Sequence, residues 1–191
     1  MIPSRSEFVL IGPHAAGKST LARLLGARLG LPVVSLDAVK WEYFRALGCD
    51  EAEVARVREE QGFWAMTRWL QPWAIAMVER VLADHRDCIF DFGAGHSMYD
   101  DPAFVARIHA ALAPFRHVVL VLPCPDEEES IRVLTERVGP FTIPEHWVFV
   151  DVPAYEVRQP SNCTLATLTA YTHGRTPDEI CDALLRQMRA K

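Results

Sequence analysis

Long hydrophobic runs are absent from this sequence. Its apolar stretches are short, and none approaches the ~20 residues that a membrane-spanning helix needs. The N-terminal stretch "MIPSRSEFVLIGPH" contains an apolar run that Gly-Pro interrupts too early for a secretory signal. We therefore expect a soluble, cytoplasmic protein that does not act at a membrane.

Paired cysteines and clustered basic residues are missing as well. The five cysteines are widely spaced, without a C-x-x-C pair or a Cys/His cluster at zinc spacing, so we expect reduced residues that serve mainly in packing. The formal net charge is -5 and the basic residues are scattered singly, which argues against a nucleic-acid-binding surface. An anionic ligand must therefore be held by a local site, and we expect a small-molecule substrate. The sequence carries no indication of an oligomeric state.

The chain has the composition of one globular domain spanning 1–191, with 50% hydrophobic and 24% charged residues. Short apolar runs alternate with longer amphipathic stretches, which predicts an α/β fold with a parallel sheet. The predicted strands are 7–11, 32–36, 87–92, 117–122 and 165–171. Helices are predicted over 19–29, as two or three segments within 37–84, from Pro102, over 126–138 where "DEEE" marks a helix start, and from Pro177 with Thr176 as its cap.

Two regions interrupt this alternation. Residues 41–73 hold four of the five tryptophans, which either anchor a helical lobe or line a substrate pocket; we expect most to be core residues and one or two to face the site. Residues 139–163 hold four prolines, which prevent any long regular element. A long irregular segment in a compact domain is typical of a lid or binding loop.

The stretch "GPHAAGKST" at 12–20 fits G-x-x-x-x-G-K-[ST] between a predicted strand and a predicted helix. In this motif, backbone N–H groups converge on phosphates at a helix N-terminus, and Gly12 and Gly17 supply the unusual backbone angles. Lys18 is expected to reach the β- and γ-phosphates, and the Ser19 hydroxyl to ligate Mg²⁺. The predicted nucleotide-binding residues of the loop are Gly12, Pro13, His14, Ala15, Ala16, Gly17, Lys18, Ser19 and, as a supporting contact, Thr20.

Two further aspartates end predicted strands, where ligands sit in open α/β sheets. Asp91 either holds the metal through water or forms a turn by capping its own backbone. Asp37 either orients the attacking hydroxyl and accepts its proton, or is the N-cap of the next helix. Gly93-Ala94-Gly95 after the third strand leaves the backbone free to approach a ligand, while a functional and a structural role are equally open for His96 and Asp100.

The order of these motifs resembles shikimate kinase and its relatives among the P-loop small-molecule kinases. The resemblance rests on the phosphate loop, Asp37, the glycine turn 93–95 and the stretch around Pro177. It implies a five-stranded parallel sheet flanked by helices, a helical substrate region at 37–84 and a lid at 139–163 that closes over ATP. It also implies roles for Asp37 on the substrate hydroxyl, Arg68, Gly93, Ala94 and Gly95 at the substrate, Arg132 and Pro177 around adenine, and Arg137 as a catalytic lid arginine.

The sequence departs from that family at Ser35, where the family has a second aspartate, and at Ala94 within the glycine turn. The favoured function is therefore an ATP- and Mg²⁺-dependent kinase of a small hydroxylated metabolite whose identity stays open. A nucleoside monophosphate kinase is a rival within that class. The alternative of another class is a nucleotide-binding regulator or partner-coupled ATPase, although the chain has no N-K-x-D guanine motif.

Overall fold

The computed structural model describes residues 5–138, 142–145 and 148–189, and within them strands and helices alternate as predicted. The strands are β1 (Arg5–Ile11), β2 (Val33–Ser35), β3 (Ile89–Asp91), β4 (Phe115–Leu122), β5 (Thr142–Glu145), β6 (Val148–Asp151) and β7 (Leu168–Tyr171). The helices are α1 (Lys18–Leu29), α2 (Leu36–Ala46), α3 (Glu51–Gln61), α4 (Phe63–Asp84), α5 (Pro102–Leu112), α6 (Glu127–Val138), α7 (Val152–Val157), α8 (Pro160–Leu165) and α9 (Pro177–Arg189), and a short 3-10 helix spans Ala94–Ser97.

The main sheet has five parallel strands in the order β2-β3-β1-β4-β7, which confirms the predicted α/β fold. The central strand β1 pairs with β3 and β4, so that Phe8 lies opposite both Ile89 and His117. Because the strands are parallel, their carboxyl ends share one edge of the sheet. The phosphate loop, the start of α2 and the residues after β3 all leave from that edge.

Both faces of the sheet are buried. Along β1, Phe8 and Leu10 belong to one hydrophobic cluster, while Val9 and Ile11 belong to the cluster on the opposite face. All four are fully inaccessible to solvent. This alternation with period two explains why the central strands are apolar nearly throughout: helices cover both sides.

The region 37–84 folds into three helices. α3 begins after Asp50, whose carboxylate accepts a hydrogen bond from the Ala52 N–H, and both α2 and α3 pack against the long helix α4. Trp69 and Trp73 lie on α4 with ring centroids 4.4 Å apart and pack against the hydrophobic core. These helices form a lobe beside the carboxyl edge of the sheet, and its assignment as a substrate region stays a prediction.

The proline-rich region 139–163 contains only short elements where it is described. β5 and β6 form an antiparallel pair, and prolines occupy the first turns of α7 and α8. Pro140 lies outside the described residues, as does Trp147. The chain after β6 returns to the phosphate loop through α7, and the function of the region as a lid stays a prediction.

The predicted helix starts are confirmed. Thr176 and Glu179 form a capping box at α9, since the Thr176 hydroxyl accepts from the Glu179 N–H and the Glu179 carboxylate accepts from the Thr176 N–H. Asp126 accepts from the Glu129 N–H at the start of α6. This cap makes "DEEE" a helix start. All five cysteines are free thiols, and three of them are buried.

Candidate active site

The phosphate loop connects β1 to α1 and contains three residues with positive φ. Gly12 has φ +131°, and a Cβ at this position would overlap the backbone oxygen of Val121. Gly17 has φ +105° and is the N-cap of α1. Ala15, with φ +56°, was not foreseen as a left-handed residue, and this conformation costs a non-glycine residue about 1–2 kcal/mol. The two glycines therefore supply the unusual angles that the motif predicts.

Lys18 is buried at the mouth of the loop. Its ammonium group donates hydrogen bonds to the carbonyl oxygens of Gly12 and Pro13, at 2.8 and 2.7 Å. Burial lowers the pKa of Lys18, whereas the carboxylates of Glu156, Asp91 and Asp37 act in the opposite direction. The side chain therefore lies folded along the loop, where three carboxylates favour its charged form.

The phosphate loop forms one wall of a cavity of about 340 Å³. This cavity brings together residues that the sequence assigned to nucleotide, metal and substrate. Its lining consists of His14, Ala15, Gly17, Lys18, Ser19, Thr20, Asp37, Phe92, Gly93 and Ala94.

Asp91 lies next to Ser19, which is one of the residues that line this cavity. It ends β3, is 6% exposed, and burial raises its pKa, while the hydrogen bond with Ser19 and the charge of Lys18 lower it. A hydroxyl and a carboxylate joined in this way are hard oxygen ligands of the kind that Mg²⁺ prefers, and Mg²⁺ commonly retains several waters. The donor set therefore fits a Mg²⁺ ion bound directly by Ser19 and through water by Asp91.

Asp37 lies in the first turn of α2 and lines the phosphate cavity. Ser35, not Asp37, occupies the N-cap position of this helix. The Asp37 carboxylate is 55% exposed, lies 3.5 Å from the Lys40 ammonium and 4.0 Å from His96 Nε2. The structure thus contradicts the interpretation of Asp37 as an N-cap, and the Asp37 carboxylate lines the cavity.

Gly93 makes room for the Asp37 carboxylate. Its φ of -62° and ψ of 155° are accessible to any residue, but a Cβ built at Gly93 would overlap the carboxylate carbon and both oxygens of Asp37. At Gly95, two residues along, a Cβ would meet nothing within 4 Å. An alanine at the first glycine of the turn would therefore displace the Asp37 carboxylate, whereas an alanine at the second would displace nothing.

We expect Gly93→Ala to displace Asp37 and to lower kcat by about 100-fold, since a misplacement near 1 Å at a reacting group has an effect of this size. Gly95→Ala is the matched comparison: because Gly95 lines the lobe cavities, the variant can change the KM for the acceptor, but kcat at saturating acceptor should stay near the wild-type value. Both variants should bind ATP as the wild type does, because neither glycine belongs to the phosphate loop. Steady-state kinetics and nucleotide titration check this, and equal turnover in the two variants would contradict the contact.

His96 is held between Gly93 and Asp37, a role that the sequence left open. The Gly93 N–H donates to His96 Nδ1 at 3.1 Å, so the ring proton must reside on Nε2, the nitrogen that faces Asp37. Burial lowers the pKa of His96 to about 4, although the charge of Asp37 acts to raise it. At neutral pH the ring is therefore an uncharged donor directed at the Asp37 carboxylate.

The lowered pKa of His96 makes stability depend on pH. Above the usual pKa of 6.5 the ring is neutral in both states, but below it the unfolded chain gains a proton that the folded protein accepts only near pH 4. Stability is therefore greatest above 6.5 and falls by up to about 3 kcal/mol as the pH drops towards 4. Urea unfolding across this pH range checks the prediction, because the free energy of unfolding of His96→Gln should decrease less steeply with falling pH. Parallel plots of this free energy against pH for the two proteins would refute it.

Glu156 of α7 contacts the phosphate loop although it lies 142 positions away in the sequence. No sequence pattern indicated this contact. It is 4% exposed, and its carboxylate accepts the His14 N–H at 2.7 Å and contacts His14 Nδ1 at 2.5 Å. A loop N–H is thus already bound to an anionic group of the protein. The only sequence signal is a glutamate two residues before an arginine in an irregular segment, which carries no information about this contact.

The predicted arginines occupy different places. Arg137, at the end of α6, donates to the Ala15 carbonyl at 3.0 Å and so reaches the phosphate loop. Arg132 forms ion pairs with Glu129 and Glu136 of its own helix, while Pro177 is an exposed residue that begins α9. The predicted contacts of Arg132 and Pro177 with adenine stay predictions.

Two larger cavities adjoin the phosphate cavity on the side of the helical lobe. One, of about 820 Å³, shares His14, Asp37 and Ala94 with the phosphate cavity and extends between α2, α3 and α4. The other, of about 580 Å³, continues from it and is lined by Arg68 and Asp100 among others. Trp41 lines the first cavity and Trp64 the second.

The fold and this loop define a P-loop protein of the kinase type. A family model described as AAA domain matches residues 8–146, which is more than half of the chain. A shikimate kinase from Thermobifida fusca is 28% identical over 187 residues, covering 98% of this chain and 97% of that protein. The chain belongs to this AAA-domain family, and it is similar to the shikimate kinase-like P-loop kinases.

Solved structures agree on the fold. Shikimate kinase from Acinetobacter baumannii, in complex with shikimate, has a TM-score of 0.61 at 17% identity, and the match covers 99% of this chain and 96% of that one. A gluconokinase from Sinorhizobium meliloti has a TM-score of 0.57 at 15% identity, covering 98% and 94%. These structures show the fold, and together with the shikimate kinase relatives they indicate a P-loop small-molecule kinase. No helix in the described ranges is both long and apolar enough to cross a bilayer.

Proposed function

We propose that the protein transfers the γ-phosphoryl group of ATP, in a Mg²⁺-dependent reaction, to a hydroxyl group of a small acceptor. The observation that carries this proposal is the shared cavity wall: Asp37 lines both the phosphate cavity and the large cavity of the helical lobe. A carboxylate at this junction is placed between a nucleotide on the loop and an acceptor in the lobe. Shikimate kinase-like relatives and a gluconokinase fold support the same class of reaction.

In the proposed reaction, the acceptor oxygen attacks the γ-phosphorus while the bond from that phosphorus to the β–γ bridging oxygen breaks, and ADP leaves. Asp37 orients the attacking hydroxyl and accepts its proton. Lys18 and the N–H groups of the loop stabilise the charge that develops on the phosphate oxygens. Ser19 and Asp91 would hold a Mg²⁺ ion, which would supply further charge neutralisation.

Arg137 and His96 complete the proposed site. Arg137 reaches the loop carbonyl of Ala15 and is placed to approach the transferred phosphate from the α6 side. The uncharged His96 ring lies with Nε2 4.0 Å from the Asp37 carboxylate and adds no positive charge beside it.

The test measures ADP and free phosphate together, with ATP, Mg²⁺ and a panel of shikimate, sugars, hydroxy acids and nucleoside monophosphates, using Lys18→Ala as the blank. ADP formed without free phosphate in the presence of one acceptor is the expected result. Equal amounts of ADP and phosphate, whichever acceptor is added, would contradict the proposal and favour a partner-coupled ATPase.

A further inference from the structure

We propose that the imidazole of His14 is a further catalytic group, which donates a hydrogen bond from Nε2 to the γ-phosphate of ATP. The carboxylate of Glu156 is the positioning group that fixes the ring through Nδ1. This inference rests on the proposed function, because it identifies a contact to the phosphoryl group that is transferred. The loop pattern G-x-x-x-x-G-K-[ST] leaves position 14 open, so a side chain at this position adds to what the motif itself supplies.

Glu156 holds His14 at two atoms. One carboxylate oxygen accepts the backbone N–H of His14 at 2.7 Å, and the other lies 2.5 Å from Nδ1 of the ring. Because an ionised carboxylate accepts hydrogen bonds and donates none, the Nδ1 atom carries a proton. The Glu156 side chain is buried, so water competes little for this contact. The carboxylate therefore fixes both the backbone and the ring of this loop residue.

Glu156 is itself held in place by its helix. Helix α7 packs against α6, and Val152 and Ala154 in its first turn are buried. Asp151 caps this helix, since its carboxylate accepts a hydrogen bond from the Ala154 N–H at 3.0 Å. A functional group is oriented reliably when the residue that supports it lies on a rigid element. Glu156 can therefore determine the orientation of the His14 ring.

The other edge of the His14 ring faces the space through which the phosphoryl group has to pass. His14 lines the phosphate cavity and both cavities of the helical lobe. Its side chain is 63% exposed although Nδ1 is directed at a buried carboxylate, so the exposed part of the ring includes the edge that carries Nε2. Asp37, the proposed proton acceptor, lines the phosphate cavity and the first lobe cavity as well. His14 and Asp37 therefore meet the nucleotide and the acceptor at the same junction.

The charge of an imidazolium at this position matches a phosphate. With Nδ1 engaged as a donor to Glu156, the Nε2 atom can donate a hydrogen bond only when the ring carries both protons. The Glu156 carboxylate and a phosphate oxygen then place an anion on each side of the cation. Among the described residues, Lys18 is the only lysine or arginine that lines the phosphate cavity, so His14 supplies a second positive charge there. Hydrogen bonds between a cation and a phosphate are roughly twice as strong as neutral ones.

During the reaction His14 remains a hydrogen-bond donor and forms no bond with phosphorus. The acceptor oxygen bonds to the γ-phosphorus, the bond to the β–γ bridging oxygen breaks, and the proton of the acceptor goes to Asp37. Nε2 keeps its own proton while charge develops on the oxygens of the transferred group. Because the contact is made to the γ-phosphate alone, ADP has no group that could replace it.

His14→Asn separates this role from a purely structural one. The asparagine amide can occupy the position of Nδ1 and keep the hydrogen bond to Glu156, but it has no group at the position of Nε2. Calorimetric titration with ADP and with the non-hydrolysable analogue AMP-PNP, both with Mg²⁺, measures the contribution of the γ-phosphate without any acceptor. We expect His14→Asn to weaken the binding of AMP-PNP at least about tenfold and that of ADP by less than about twofold.

Two further variants complete the test. In Glu156→Gln the amide oxygen can still accept the His14 N–H, but the amide nitrogen faces Nδ1 as a donor, which leaves a neutral ring with its proton on Nε2. We expect this variant to weaken AMP-PNP binding about threefold and to bind ADP as the wild type does. His109→Asn is the control, because His109 lies on α5 and lines neither the phosphate cavity nor the lobe cavities. It should bind both nucleotides with wild-type affinity.

The outcomes separate this inference from the proposed function. An unchanged ratio of AMP-PNP to ADP affinity in His14→Asn would overturn the inference and leave the kinase reaction intact. Equal weakening of both nucleotides would also overturn it, because such a result reports a change in the loop itself. Selective loss of AMP-PNP affinity, in a protein that phosphorylates no member of the acceptor panel, would support the contact and contradict the kinase reaction. Circular dichroism and thermal unfolding establish that each variant is folded.

Discussion

Lys18→Ala is expected to lower kcat by at least about 1,000-fold while leaving the protein folded. Lys18 is the buried cation of the phosphate loop, and no other lysine or arginine lines the phosphate cavity in the described part of the chain. The alanine variant would therefore leave the developing charge of the transferred phosphate without its nearest counter-charge. Loss of the two hydrogen bonds to Gly12 and Pro13 should also weaken ATP binding.

The measurement is single-turnover transfer from ATP, together with circular dichroism and thermal unfolding to establish that the variant is folded. Arg186→Ala removes an exposed positive charge from α9 and serves as the control. It should keep wild-type turnover. If Lys18→Ala retained more than about a tenth of the wild-type rate, the proposed electrostatic role would be wrong.

Asp37→Asn is expected to have the second largest effect, a decrease in kcat of about 100- to 10,000-fold. The amide has nearly the shape of the carboxylate, so its packing against Gly93 is kept while its ability to accept a proton is lost. Asp37 does not belong to the phosphate loop, and the affinity for ATP should change by less than about threefold. The variant thus separates the chemical step from nucleotide binding.

Glu42→Gln is the matched control, because Glu42 is an exposed carboxylate on the same helix. Pre-steady-state measurement of phosphoryl transfer, at saturating ATP and acceptor, distinguishes the two variants. An Asp37→Asn enzyme that transfers phosphate at the rate of Glu42→Gln would refute the assignment of Asp37 as the proton acceptor. A loss confined to KM would assign Asp37 to acceptor binding alone.

Features encoded locally could be predicted from the sequence. The strands are short apolar runs bounded by turn residues, and all five predicted runs became strands of the sheet. The conformation of the phosphate loop is encoded within nine residues. Gly12 and Gly17 adopt positive φ angles there that only small residues tolerate easily. The cap of α9 was likewise visible as Thr176 before a proline and two acidic residues.

Contacts between distant segments could not be predicted in the same way. Glu156 reaches His14 across 142 positions, and only the packing of α7 against the rest of the fold brings them together. His96 acquires its role because Gly93 fixes its ring while α2 presents Asp37 from another part of the chain. Arg132 is a local case: its partners in the structure lie three and four residues away on the same helix, while its predicted contact with adenine stays a prediction.

Strand β2 continues directly into helix α2. The carboxylate proposed to take part in the chemical step and the side chains proposed to select the acceptor therefore belong to different elements. Ser35 is both the last residue of the strand and the N-cap of the helix, so Asp37 is anchored to the sheet with no loop between them. Much of the cavity wall instead belongs to α3 and α4, which are joined to their neighbours through Gly48 and Gly62. If the proposed reaction holds, substitutions on these two helices can therefore change which acceptor fits while the Asp37 carboxylate keeps its place. Such an arrangement allows new acceptor preferences to evolve without rebuilding the catalytic centre.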